Sequence, residues 1–241
     1  MSEQLMISEQ DPGTIIDNNP KTESSMEIMH VISIDFNYIM YPCIKLYQDL
    51  YNEKENASIT WNIIENYRGV TKEFLQYDTR SYAKITKMIQ SIMYKNPKCK
   101  LIGIDKHSDL IDKLSNKLDE GNKLDLVNID FYHDILYSKA DKNKALRFSS
   151  YNTNNWVGYL FCKDRIESYT WIKAPNSQFY DHNLDGDTHI EFNIETLDYL
   201  DKLMDIPEIW DYIFVNFPKH QVPFEYKHLY DLIFELFQRK E

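Results

Sequence analysis

Short, β-branched apolar runs alternate with amphipathic helical stretches along most of this chain, and that alternation restricts its fold more than any other feature. Residues 31–36 read VISIDF, 100–105 read KLIGID and 124–130 read LDLVNID. Runs this short and this rich in Val, Ile and Leu, bounded by polar turns, have the pattern of strands buried on both faces. Between them, 82–94 places Ile85, Met88, Ile89, Ile92 and Met93 on one helical face. The stretch 108–118 does the same with Leu110, Ile111, Leu114 and Leu118, and Gly121 and Asn122 close it. Further strands are expected at 169–173, 189–193 and 212–217, helices at 44–51 and 59–67, and a closing helix at 224–238. Strands that alternate with helices pair in parallel and need cover on both faces, so the expectation is an α/β fold: a three-layer sandwich around a mostly parallel central sheet. Residues 1–27 are polar, carry Pro12, Gly13 and Pro20, and show little periodicity; they read as a flexible tail ahead of a single domain, 28–241.

Composition removes several function classes. A chain of 241 residues, 43% of them hydrophobic, can bury a sizeable core. No apolar run approaches the roughly 20 residues of a membrane-spanning helix. The start of the chain lacks a basic-then-apolar export pattern, and its three cysteines, Cys43, Cys99 and Cys162, form no CxxC pair. A cytoplasmic setting without a disulfide framework is the expectation. The net charge of −11 is wrong for a nucleic-acid clamp and suits a cationic substrate or a basic protein partner. All six glycines stand alone, so neither a Walker A loop nor a GxGxxG turn can be written.

The acids and histidines fall where such a fold puts chemistry. In open parallel sheets, ligands bind beyond the carboxyl ends of the strands. The first strand ends at Asp35, the second is followed by His107, and the third ends at Asp130 with Asp134 close behind. If these strands are neighbours, three carboxylates and an imidazole meet at one rim, a donor set for a divalent ion such as Mn²⁺. An ion would also relieve the repulsion among clustered carboxylates. The competing reading is structural: aspartates at strand ends also cap helices and make turns.

Other constellations are weaker. Residues 181–187 (DHNLDGD) match the opening of an EF-hand loop, but Phe192 stands where the bidentate Glu belongs, so an Asx-rich turn is expected. His182, His189, His220 and His228 show no ligand spacing. Ser149 and Ser150 lack a nucleophile-elbow pattern, and no base is evident for Cys162.

As a set, the rim segments resemble the arginase/ureohydrolase superfamily. Residues 130–134 (DFYHD) resemble its DxHxD metal motif, 103–108 (GIDKHS) its Gly-Gly-x-His-Ser turn, and 33–37 (SIDFN) its SxDxD motif, moved to the front of the chain. Residues 154–159 (NNWVGY) and 217–223 (FPKHQVP) are similar to segments of the branch that includes peptide arginases. The resemblance implies an arginase/deacetylase-like fold with a binuclear Mn²⁺ centre that converts arginine to ornithine and urea. It implies that His107, Asp130, Asp134 and Asp35 hold the first ion, with Asp130 and Asp35 bridging to the second, and that Asn155 and Trp156 contact substrate. Two positions depart from the pattern: Tyr132 stands where DxHxD has His, and Asn37 where SxDxD has its second Asp. Both positions serve the second ion only, and a phenol and a neutral amide are weak donors. One Mn²⁺ rather than two is therefore the expectation. Three readings follow: a metal-dependent hydrolase acting on arginine in a peptide, another one-metal hydrolase such as a deacylase, and a degenerate arginase-like fold acting as an acidic interaction or inhibitor protein for a basic partner.

Overall fold

The β-branched runs form strands and the amphipathic stretches form helices, laid out in sequence as a repeated strand–helix unit. The computed structural model describes residues 26–41, 76–135, 151, 155–175, 177, 192–218, 222 and 226–238. Strand β1 (Ile28–Asp35) runs into a 3₁₀ turn (Phe36–Ile39) and a short β2 (Met40–Tyr41), which pairs antiparallel with β3 (Gln76–Tyr77). Then follow α1 (Thr79–Lys95), β4 (Lys100–Ile104), α2 (Asp109–Asp119), β5 (Lys123–Asp130), α3 (Trp156–Cys162) and β6 (Ile166–Lys173). The described chain closes with β7 (Asn193–Glu195), α4 (Tyr199–Asp205), a 3₁₀ turn (Pro207–Ile209), β8 (Tyr212–Asn216) and α5 (Lys227–Gln238). The expected helices at 44–51 and 59–67, the loop at 181–187 and all but the last two residues of the tail expected at 1–27 lie outside the described residues. Of the strand expected at 189–193 only Phe192 and Asn193 are described, and the strand there runs from Asn193 to Glu195; the strand expected at 169–173 starts earlier, at Ile166.

Six strands form the main sheet in the order β4-β8-β1-β5-β6-β7, every neighbouring pair parallel. Alternation along the strands sends apolar side chains to both faces. Ile32, Ile34, Val127, Ile129, Ile213 and Val215 pack against α1, α4 and α5 through Ile85, Met88, Ile89, Leu200, Leu203 and Ile233. Val31, Leu124, Leu126, Trp171 and Phe214 pack against α2 and α3 through Leu110, Leu114, Trp156 and Leu160. The result is a three-layer α/β sandwich, as the alternation required. Each fully buried aliphatic side chain contributes about 1.5–3 kcal/mol.

Local chemistry fixes the ends of the helices. The Asp78 carboxylate accepts the Arg80 N–H at 3.0 Å at the start of α1. The α2 helix ends at Gly121, whose φ of +97° suits a residue without Cβ. Asn96, just past α1, donates its Nδ2 to the carbonyls of Pro207, Glu208 and Trp210 at 3.3, 3.2 and 2.9 Å, tying α1 to the segment that leads into β8. Among the described residues no helix is long and apolar enough to cross a membrane.

Candidate metal centre

One face of the central strands breaks the apolar rule. Ser33 and Asp35 share the side of β1 that Val31 occupies, Asn128 and Asp130 share that of Leu126 on β5, and Asn216 shares that of Phe214 on β8. All five are buried. Register puts them side by side: Ser33 is paired with Asn128, Ile34 with Ile129, and Asp35 with Asn216. A buried polar strip therefore crosses three adjacent strands at their carboxyl ends, under the layer formed by α2 and α3.

His107 drops into this strip from the turn between β4 and α2. Its Nδ1 lies 3.1 Å from Asp130 Oδ2, 3.3 Å from Asp134 Oδ2 and 3.7 Å from Asp35 Oδ2. Its other nitrogen, Nε2, shares a hydrogen bond of 2.5 Å with Ser33 Oγ. One oxygen of each strand-end carboxylate is directed at the imidazole, and the other is held by backbone. Asp35 Oδ1 accepts the Asn37 N–H at 2.9 Å, and Asp130 Oδ1 accepts the Tyr132 N–H at 3.2 Å. Asn216 Nδ2 adds a bond of 3.0 Å to Asp35 Oδ2, leaving its own Oδ1 with no hydrogen-bond partner among the described residues.

Burial makes this arrangement electrostatically costly without a cation. Desolvation, followed by the charge of Asp130, pushes the Asp35 pKa up to about 7. Desolvation, followed by the charge of Asp134, pushes Asp130 to about 7 as well. Burial also raises Asp134, against the lowering influence of the nearby His107 and of the Trp156 N–H. For His107, burial opposes the charge, but the carboxylates of Asp130, Asp134 and Asp35 outweigh it and push the pKa up to about 10. The cluster thus holds onto protons that solvated groups would release, and a divalent ion could take their place.

The donors fit such an ion. Donor atoms of Asp35, His107 and Asp130 all lie within 4.8 Å of one another, so this buried trio could hold a metal ion. The 3.1–3.7 Å separations around Nδ1 match neighbouring ligands of one ion at about 2.1 Å, which stand about 3.0 Å apart at octahedral corners and about 3.4 Å apart at tetrahedral ones. Oxygen with nitrogen suits Mn²⁺, Fe²⁺ or Zn²⁺ better than soft metals. The Ser33 contact at Nε2 is the kind of outer partner that fixes the orientation of a ligating imidazole.

The remaining candidates from the sequence are placed as follows. Asp134 stands beside the trio, 3.3 Å from His107 Nδ1. Asn37 is buried in the 3₁₀ turn after β1. The Tyr132 ring packs on Phe131, with centroids 5.0 Å apart, against the apolar cluster on the side of α1 and α5. His133 turns its ring to Trp171 and Phe192, and its Nδ1 accepts the Ile135 N–H at 3.1 Å. Burial lowers its pKa to about 4, which keeps it neutral at physiological pH. Asn155 and Trp156 are both buried, and the Trp156 indole N–H donates to Asp134 Oδ2 at 2.6 Å. Cys162 is partly buried at the end of α3. His182, His189, His220, Ser149, Ser150 and Cys43 lie outside the described residues.

Sequence reasoning missed Ser33, Asn128 and Asn216 as members of the strip. A signal was present, because each is a polar residue at a position where a strand buried on both faces should carry an apolar one. It also missed the link from the Trp171 indole to the Asp130 carbonyl at 3.0 Å, which anchors the end of β5 to β6. Compared with protein-family models, curated proteins and solved structures, the chain matches none.

Proposed function

We propose that this protein is a divalent-metal-dependent hydrolase of the arginase-like kind, using one Mn²⁺ to convert arginine within a peptide to ornithine and urea. The observation that carries the reading is the buried convergence of Asp35 and Asp130, at the ends of β1 and β5, with His107 from the turn after β4. Its motif support is the resemblance of 130–134, 103–108 and 33–37 to arginase segments. When bound, the ion supplies Lewis acidity, which polarises a substrate and lets water attack near neutral pH. The chain's own residues hold and orient it. Asp35 and Asp130 present Oδ2 while backbone N–H groups engage Oδ1, and Ser33 keeps the His107 ring from turning. Asn37 and Tyr132 at the second-ion positions, a neutral amide and a phenol, support one ion over two. The net charge of −11 suits a cationic substrate. The absence of CxxC pairs suits the cytoplasm.

The test is metal content per chain after purification with Mn²⁺, together with urea release from free arginine and from arginine peptides. The wild type is expected to carry about one ion and release urea, and Asp130→Ala to lose both. Absence of bound ion and of urea would overturn the reading, and metal-dependent ester or amide cleavage without urea would reassign the substrate to a deacylase class.

One observation favours a second reading. The Tyr132 ring packs against an apolar cluster and a phenol is a weak donor, and a site reduced in this way also suits a non-catalytic acidic protein that binds a basic partner. That reading expects salt-sensitive capture of a basic protein by the Asp130→Ala variant and the wild type alike.

A further inference from the structure

The N-terminus of α3 is fastened to the carboxylate cluster by three hydrogen bonds, all of which pass through Asp134. The Trp156 indole N–H donates to Asp134 Oδ2 at 2.6 Å. The backbone N–H groups of Val157 and Gly158 donate to the Asp134 carbonyl oxygen at 3.1 and 3.2 Å. Asp134 has a φ of +51°, a left-handed conformation that a non-glycine residue keeps only where surroundings enforce it. The fully buried indole also lies against the His107 imidazole, centroid to centroid 4.9 Å.

We propose that Trp156 is a positioning residue of the cation site, acting through Asp134, so that cation binding and the docking of α3 are thermodynamically coupled. The proposal rests on the metal reading above. The oxygen that accepts the indole N–H is the same Oδ2 that lies 3.3 Å from His107 Nδ1. Rotating the Asp134 carboxylate away from the cluster breaks both contacts, and a bond from N–H to a carboxylate is among the stronger hydrogen bonds. The main-chain half of the fastening joins the same residue to the first turn of α3. A cation that draws on Asp134 therefore tightens the junction between the 130–135 segment and α3, and by reciprocity a loosened junction weakens the cation.

Trp156→Phe keeps the ring and deletes the N–H. In the full-length chain, Mn²⁺ affinity measured by competition with a chelating dye is expected to fall about 10- to 100-fold in this variant, the range typical of lost outer-shell partners. Tyr159→Phe, on the same helix but packed on Tyr151, is expected to bind Mn²⁺ as the wild type does. Amide exchange at Val157 and Gly158 is expected to slow on adding Mn²⁺ to the wild type, and this slowing to be lost in Trp156→Phe. Equal Mn²⁺ affinity in Trp156→Phe and wild type overturns the proposal and leaves the metal reading standing; a wild type that binds no Mn²⁺ overturns both. Should Trp156→Phe fail to fold, the wild-type exchange decides alone: protection of Val157 and Gly158 that is indifferent to Mn²⁺ overturns the coupling.

Discussion

The buried cluster keeps protons that solvated carboxyls would release, and this determines how stability responds to pH. In the folded chain Asp35 and Asp130 keep their protons up to about pH 7, against 3.8 when solvated. Between about pH 4 and pH 7 the folded state therefore binds more protons than the unfolded state, and stability falls as pH rises through that window. His107 extends the trend. Its pKa is about 10 when folded and 6.5 when solvated, so its contribution is intact below 6.5 and is lost as pH climbs towards 10. One proton of difference is worth about 1.4 kcal/mol per pH unit. From pH 5 to pH 7, one such carboxyl thus removes about 2 kcal/mol, a large share of a typical total of about 5–15 kcal/mol. Urea melts of cation-free protein at several values across this range are expected to show a steadily falling midpoint. Added Mn²⁺ is expected to raise the midpoint near pH 7 and to do little near pH 5, where protons hold the carboxylates. The double variant Asp35→Asn, Asp130→Asn is expected to flatten the cation-free slope. A flat wild-type profile over this range, or a double variant with the wild-type slope, would refute the reasoning.

Two further predictions concern the frame around the site. Asn96→Ala removes the donor shared by the carbonyls of Pro207, Glu208 and Trp210, and is expected to cost about 1–3 kcal/mol in denaturant melts; an unchanged midpoint would mean that these carbonyls are satisfied by water. Gly103 faces α5 so closely that a Cβ there would lie 2.5 Å from the Tyr230 hydroxyl and 3.2 Å from the Phe234 ring. Gly103→Val is expected to push α5 off the β4 edge at a cost of about 1–3 kcal/mol, seen as faster amide exchange along α5, whereas wild-type exchange in α5 would show that the helix yields without strain.

What the sequence disclosed and what it concealed divide along a physical line. Strands such as 31–36 and 124–130 were legible because burial on both faces leaves little choice beyond Val, Ile and Leu, and the acids at their ends stood out against that background. The partners of those acids were not legible, because they depend on lateral strand order, which periodicity does not encode. Asp35 and Asn216 are 181 positions apart and meet only because β8 is inserted between β4 and β1. Beyond Asp130 the strand ends, its alternation stops, and spacing no longer tells where a side chain points. There the chain bends so that the Tyr132 N–H returns to Asp130, the Tyr132 ring joins the opposite apolar cluster, and Asp134 enters the left-handed region to meet Trp156. Each Oδ1 of Asp35 and Asp130 accepts an N–H from two residues on, which leaves one lone pair on each for any further contact. Under the proposed arginase-like reading, the depletion of a second position lies in the side chains of Asn37 and Tyr132, a neutral amide and a phenol.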